Sequence, residues 1–244
     1  MTQRVLVIGG GGGIGGAVAR NVVTRGGRVY LAGRDAGRLA AVGAELGMPW
    51  GTVEATDFAS VEACADAAVA ALGGLDGIVN CAGSILLKPA HLTSADDWQA
   101  TLATNLTSAF ACVRAAGRLL RESGGSVVLV SSAAARIGLA NHEAIAAAKA
   151  GVIGLVLSAA ATYAKQRIRF NAVAPGLVRT PLAKGLVASE LAEKASIAMH
   201  PLGRLGEPDD VARAIDFLLD PAQGWITGQV LGVDGGLADL KARV

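Results

Sequence analysis

One lysine stands alone in a long apolar stretch. Between Glu143 and Lys165 the chain runs Ala144-Ile145-Ala146-Ala147-Ala148-Lys149-Ala150-Gly151-Val152 and onward through Leu157, and Lys149 is the only charge in it. A helix of this composition is expected to be buried all round, so its single ammonium should face a polar cleft or a bound ligand. Seven residues earlier lies His142, whose imidazole, with an ordinary pKa of about 6.5, is a competent acid or base at neutral pH. If the helix is already formed there, His142 and Lys149 share one face, about 10 Å apart along the axis. Glu143 is a second acid, but it points elsewhere on a regular helix. Asn141-His142-Glu143 also reads as an ordinary helix N-cap with His and Glu in its first turn. His91 and His200 adjoin Pro89 and Pro201 in loop-like segments and could edge a cleft.

Gly9 to Gly13 are five consecutive glycines, followed by Ile14-Gly15-Gly16. The run follows the short apolar segment Val5-Leu6-Val7-Ile8 and opens a helix, and it contains the register Gly10-x-Gly12-x-x-Gly15. A strand feeding a helix N-terminus offers free N–H groups and the positive end of a helix dipole, which favour a pyrophosphate. A plain turn does not need glycine at five successive positions. Further on, Gly33-Arg34-Asp35 follows the second strand. An acid at that strand end would bind the 2′-hydroxyl of NAD, whereas an arginine pairs with a 2′-phosphate. Gly33 stands where the acid is expected and Arg34 follows, which favours NADP(H) and leaves NAD(H) possible. Arg34 also reads as a surface residue at a helix start, with Asp35 as N-cap.

The elements that position these residues alternate. Strands are expected at Val5–Ile8, Arg28–Ala32, Trp50–Glu54, Gly77–Asn80, Ser126–Val130, Ile168–Val173 and Gln229–Val233. Helices are expected at Gly13–Arg25, Asp35–Leu46, Phe58–Leu72, Ser94 to about Glu122, about Glu143–Ala164, Leu182–Ala198 and Pro208–Leu219. Regular alternation of this kind implies an α/β fold with a parallel sheet covered by helices on both faces. No linker-like run or repeat divides the chain, so residues 1–244 are expected to form a single domain that binds the dinucleotide and carries the catalysis.

Composition narrows the classes. The chain has 244 residues, 52% hydrophobic and 17% charged, enough apolar material to bury a core and exclude disorder. Its 33 glycines with only 7 prolines point to tight turns and close backbone approaches, not a linker. The 22 basic and 20 acidic residues are mixed along the chain and leave a net charge of +2, without a cluster to bind nucleic acid or an anionic membrane. Cys64, Cys81 and Cys112 are odd in number and lack metal-type spacing, so no metal site is expected and a reducing compartment is. Uncharged stretches such as Trp98–Val113 fall short of the roughly 18 residues of a membrane span. Arg4, an apolar run and Ala17-Val18-Ala19 imitate a signal peptide, but the glycines interrupt the run. A cytoplasmic protein is expected.

Several segments together resemble the short-chain dehydrogenase/reductases. They are Gly9-x-x-x-Gly13-Ile14-Gly15, Asp57 after the third strand, Asn80-Cys81-Ala82-Gly83 after the fourth, and Asn105 within Thr104-Asn105-Leu106. Ser131-Ser132, Pro175-Gly176-Leu177-Val178-Arg179-Thr180 and Val233-Asp234-Gly235-Gly236 complete the set, in order from about Val5 to Gly236. The resemblance implies a Rossmann-type, doubly wound, seven-stranded parallel sheet, a nicotinamide cofactor and a homotetramer or homodimer. It also implies that Gly9, Gly13, Ile14 and Gly15 hold the pyrophosphate and that Asp57 faces the adenine. Asn80, Ala82 and Gly83 would line the ribose and diphosphate; Pro175, Gly176, Val178 and Thr180 would hold the nicotinamide end. Ile8 stands where the family usually has Thr, at the cost of a turn hydrogen bond.

The catalytic residues implied are Ser132, Asn105 and Lys149, with a tyrosine four residues before the lysine. That position here is Ile145. The chain has two tyrosines; Tyr30 lies in the second strand, and Tyr163 has Arg167 four residues on. Ile145 has no ionisable or hydrogen-bonding group, so the usual proton donor is missing and His142 is the nearest candidate replacement. Lys149 is expected to bind the ribose hydroxyls, a role that survives without the tyrosine. The resulting expectation is an NAD(P)(H)-dependent oxidoreductase acting on a small carbonyl/alcohol pair with a non-standard proton donor. The alternatives are a cofactor-binding protein without catalysis that serves as a regulatory or partner subunit, and an elimination or epimerisation that needs only a base.

Overall fold

The computed structural model describes residues 2–241. In chain order it contains β1 (Arg4–Ile8), α1 (Gly13–Thr24), β2 (Arg28–Gly33), α2 (Ala36–Leu46), β3 (Trp50–Thr52), α3 (Phe58–Leu72) and β4 (Gly77–Asn80). These are followed by α4 (Ala95–Leu102), α5 (Ser108–Leu119), β5 (Gly125–Val130), α6 (Glu143–Tyr163), β6 (Ile168–Pro175), α7 (Glu190–Ala198), α8 (Pro208–Leu219) and β7 (Val230–Val233). The strands form one seven-stranded sheet in the order β3-β2-β1-β4-β5-β6-β7, and every pairing is parallel. The doubly wound sheet expected from the alternation is therefore present.

The central strands are largely apolar because both faces are covered. In β1, Leu6 and Ile8 join Ile78, Leu129 and Phe170 in one core, beneath α3, α5 and α6. Val5 and Val7 point the other way, with Val79, Val128 and Val173, and meet Val18 of α1 and Ile215 of α8. This is the two-residue alternation of a pleated strand. Arg169 of β6 is an exception among these apolar side chains. Its guanidinium donates to the carbonyls of Leu218 and Asp220, at 2.9 and 3.1 Å, and so satisfies the C-terminal end of α8.

Three elements differ from the periodicity. The helix expected from Ser94 to about Glu122 is interrupted by a π-helical turn, Ala103–Thr107, between α4 and α5. Asn105 within that turn turns its amide to Ser84 and to the Thr101 carbonyl, and Ser108 donates back to the Thr104 carbonyl at 2.7 Å. The helix expected at Leu182–Ala198 divides into a 3-10 segment, Pro181–Val187, and α7, because Ser189 caps a new start by accepting from Ala192 N–H. Finally, Glu143–Gln166 is by length and composition apolar enough to cross a membrane, a stretch that charge spacing alone did not show. Here α6 lies against β6, with Val152, Val156 and Ala159 in the core beneath the sheet.

Candidate active site

In this strand order the chain reverses direction between β1 and β4, and a crevice opens there beyond the carboxyl ends of the strands. A cleft of about 600 Å³ occupies this place. Its floor is the glycine loop. Gly9 has φ +84°, and a β-carbon on it would stand 2.8 Å from the Cys81 carbonyl carbon. At Gly15 a β-carbon would collide with the Gly9 carbonyl oxygen. The amides of Gly9 and Gly10 both donate to the Ala32 carbonyl, at 2.7 and 3.0 Å, tying the loop to the end of β2. No side chain caps α1, whose N-cap is Gly12, so its first amides face the cleft. The backbone cradle and the uncapped helix start fit a pyrophosphate. Gly13 lacks a β-carbon where Thr180 packs; one added there would sit 2.8 Å from the Thr180 methyl.

At the β2 end of the cleft, Gly33 presents no carboxylate, and Arg34 and Arg38 both line the wall. Arg38 pairs with Asp35 at 3.0 Å, while Asp35 caps α2 by accepting from the Arg38 amide. Arg34 enters none of the ion pairs among the described residues. Sequence reasoning missed Arg38, although its spacing of four from Arg34 at a helix start was a legible signal. Glu54, Ala55 and Thr56 form the wall beside these arginines.

At the opposite end, side chains are held by other side chains. Lys149 is buried, and its Nζ donates to the Val130 carbonyl at 2.8 Å. Ser131 Oγ donates to the Lys149 carbonyl, also at 2.8 Å, so the end of β5 holds both the backbone and the head group of this lysine. Burial pushes the ammonium down to about 8, partly offset by the neighbouring Cys81 thiol. Asn105, in the π turn, accepts from Ser84 N–H at 3.2 Å and donates to Ser84 Oγ at 3.0 Å and to the Thr101 carbonyl at 3.0 Å. A β-carbon at Gly83 would stand 3.1 Å from Asn105 Oδ1 and 3.6 Å from Lys149 Nζ, so both polar atoms flank this glycine. Ser132 Oγ accepts from Ala134 N–H at 3.1 Å, which leaves its own proton to donate elsewhere. Ile145, one turn before Lys149, is buried. Ser131 was legible only as part of the Ser131-Ser132 segment, and Ser84 had no distinguishing signal in the sequence.

Gly9, Gly13, Ile14, Gly15, Arg34, Ala82, Gly83 and Thr180 line the cleft. Asp57, Asn80, Pro175, Gly176 and Val178 are not among its lining residues. Asp57 caps α3, accepting from Ala59 N–H at 3.0 Å. Asn80 braces the loop after β4, accepting from Ala82 N–H at 3.0 Å and donating to Ser108 Oγ at 3.1 Å. Pro175 ends β6; Gly176 packs on the His200 ring, and Val178 bridges to Gly206. His200 is buried behind that loop, where Nε2 accepts from Leu177 N–H at 3.1 Å and Nδ1 lies 2.7 Å from the Ser196 carbonyl. It therefore holds the loop in place and does not edge the cleft.

His142 is the N-cap of α6, not a residue within it, and its Nδ1 lies 2.7 Å from the Ala140 carbonyl. Asn141-His142-Glu143 also offered that capping reading, and the His142 carbonyl accepts the first helical bond, from Ala146 N–H at 2.7 Å. Tyr30 lies in β2 with its hydroxyl against Gly51, and the Tyr163 hydroxyl packs against Gly117.

Residues 9–238 match the family model described as Enoyl-(Acyl carrier protein) reductase. The chain is 40% identical over 249 residues to cis-4-hydroxycyclohexanecarboxylate dehydrogenase of Sinomonas cyclohexanicum, covering 96% of each chain. It is 36% identical to inactive 2-(S)-hydroxypropyl-CoM dehydrogenase 2 of Xanthobacter autotrophicus, over 91% of this chain and all of that one. A short-chain type dehydrogenase/reductase from Mycobacterium ulcerans superposes with a TM-score of 0.92 at 32% identity, covering 98% of this chain and 91% of the other. With the glycine cradle, the strand order and these matches in agreement, the chain belongs to the short-chain dehydrogenase/reductase family.

Proposed function

We propose that this protein interconverts a carbonyl and an alcohol using a nicotinamide cofactor, with NADP(H) preferred over NAD(H). The observation that carries this is one continuous cleft. It joins an uncapped, glycine-lined helix start to Arg34 and Arg38 on one side and to Gly83, flanked by Lys149 and Asn105, on the other. The nicotinamide, when bound, supplies or accepts the hydride. Gly9, Gly13, Ile14 and Gly15 would hold the pyrophosphate on backbone amides. Arg34 would meet a 2′-phosphate with charge-assisted hydrogen bonds, and Gly33 puts no carboxylate at the end of β2 itself. Pro175, Gly176, Val178 and Thr180 would shape the nicotinamide end, and Asp57 the adenine end.

Ser132 would polarise the substrate oxygen with its free hydroxyl proton, and Lys149 would bind the ribose hydroxyls with an N–H that Val130 does not use. Ile145 occupies the position where the family carries its tyrosine, so that wall of the site is apolar and donates no proton. The substrate is a small carbonyl or alcohol. We further expect a homotetramer or homodimer; the fully exposed Trp225 is an apolar side chain suited to burial between copies. Sedimentation velocity of the purified protein checks this, and a monomer at micromolar concentration would refute it.

The test of activity is oxidation of NADPH, followed at its absorbance band, against a panel of small ketones and aldehydes, with NADH run in parallel. Turnover with NADPH above NADH is expected. Tight NADPH binding without turnover on any member, in either direction, would favour the cofactor-binding subunit without catalysis.

A further inference from the structure

We infer that Lys149 is itself the group that gives a proton to the substrate oxygen during carbonyl reduction, and takes it back during alcohol oxidation. This rests on the oxidoreductase reading above and names the proton donor that it leaves open. Lys149 Nζ makes one hydrogen bond among the described residues, to the Val130 carbonyl at 2.8 Å. An ammonium has three N–H groups, so one remains for a ribose hydroxyl and one for a substrate oxygen. The head group is buried just behind the cleft wall: Gly83 lines the cleft and has no side chain, and a β-carbon there would stand 3.6 Å from Nζ. Ser131 clamps the lysine backbone at 2.8 Å, fixing the head group beside the chain segment that carries Ser132.

The other acids are placed elsewhere. Ile145 cannot ionise. His142 faces the Ala140 carbonyl, His200 has both ring nitrogens engaged, and the two tyrosines pack against Gly51 and Gly117. From the end of β4, the one titratable group acting on Lys149 is Cys81, whose thiol burial pushes up to about 12 and so keeps neutral. From the π turn comes Asn105 and from the end of β5 come Ser131 and Ser132, none of which titrates in this range. On α6 itself Glu143 is exposed at the N-terminus. Burial also brings Lys149 to about 8, where both of its protonation states are accessible near neutral pH.

In reduction, the carbonyl carbon would receive the hydride, with its electron pair, that a bound reduced nicotinamide would supply. An N–H bond of Lys149 breaks, an O–H bond forms on the former carbonyl oxygen, and the neutral amine is reprotonated from water. Oxidation runs the same proton in reverse. Reduction therefore needs the ammonium and is lost as pH rises through the lysine pKa, whereas oxidation needs the free amine and rises over the same range.

The test combines turnover with a readout that needs no catalysis. Reduction kcat at saturating NADPH is measured from pH 6 to 10 for the wild type and Lys149→Arg, with NADPH affinity taken separately by fluorescence titration. In parallel, the Lys149 ε-amine of the cofactor-free wild type is labelled with limiting acetic anhydride at each pH and quantified by peptide mass spectrometry. The expected result is a descending kcat limb near pH 8, a labelling midpoint that coincides with it, and a loss of at least about 100-fold in Lys149→Arg, with that limb absent. A limb that Lys149→Arg retains overturns the proposal, as does a labelling midpoint above pH 10, which requires no variant to fold. A limb near pH 6.5 that His142→Ala abolishes also overturns it, in favour of His142. Absence of wild-type turnover on every carbonyl overturns the oxidoreductase reading, and this proposal with it.

Discussion

The two ends of the cleft are built from different materials. The glycine-loop end is backbone: an uncapped helix start, a loop whose amides are tied to Ala32, and glycines at which a β-carbon would strike a carbonyl. The Lys149 end is side chain held by side chain and by main-chain carbonyls, with Ser131 and Val130 fixing Lys149 and Ser84 fixing Asn105. Backbone sites tolerate no added atoms, because the contacts are already at van der Waals distance. Side-chain sites tolerate replacement while the scaffold stays put. This contrast explains how the Ile145 position can lack an ionisable group while the glycine loop remains complete.

Substitutions at each end should separate the two kinds of construction. The largest effect is expected for Gly15→Val, whose side chain would displace the Gly9 carbonyl; NADPH binding should fall below detection in a fluorescence titration. Retained binding would show that the loop yields, and would break the contrast. Next comes Ser132→Ala. Removing a donor aimed at a developing oxyanion costs about 100-fold or more in turnover, and NADPH affinity should stay within about twofold because Ser132 lies outside the pyrophosphate cradle. A parallel loss of both would mean that the two ends are coupled.

A smaller effect is expected at the β2 end. Arg34→Ala should weaken NADPH by about 10-fold to 100-fold, the worth of a charged hydrogen bond to a phosphate, and leave NADH unchanged. Equal effects on both cofactors, or none, would remove Arg34 from the 2′-phosphate. The smallest effect is at Asp57, which caps α3 through the Ala59 amide. Asp57→Ala should lower stability by about 1 kcal/mol, read from the midpoint of urea unfolding. A shift of that midpoint too small to measure would mean that the cap carries no stability.

Much of the cofactor end was legible in the residues. A five-glycine run after an apolar tetrad can serve few purposes, and Gly33-Arg34 at a strand end carries its charge logic locally. Asp35 as an N-cap was equally local and is found. The far end was legible in part. Lys149 announced itself because a lone charge in an apolar helix must find a polar partner, but its partner is the Val130 carbonyl, 19 residues away in sequence. The Asn105–Ser84 pair joins two segments 21 residues apart, and it accompanies the π turn that broke the expected long helix. His142 as a helix N-cap, one of the two readings its neighbours offered, was local in the same way and is found.

The sequence alone determined the alternation of strands and helices, the glycine cradle, the charge at the end of β2 and the absence of a tyrosine four residues before Lys149. These follow from local rules: side-chain periodicity, the steric freedom of glycine and the chemistry of single side chains. Only the tertiary structure decided which atoms hold Lys149, that its head group lies beside Gly83 of the cleft wall, and that His142 and His200 are engaged with backbone groups. The physical reason is that desolvation and hydrogen-bond partners are set by segments brought together across the sheet. A lysine's pKa and its reach toward a cleft are properties of those neighbours, not of the lysine.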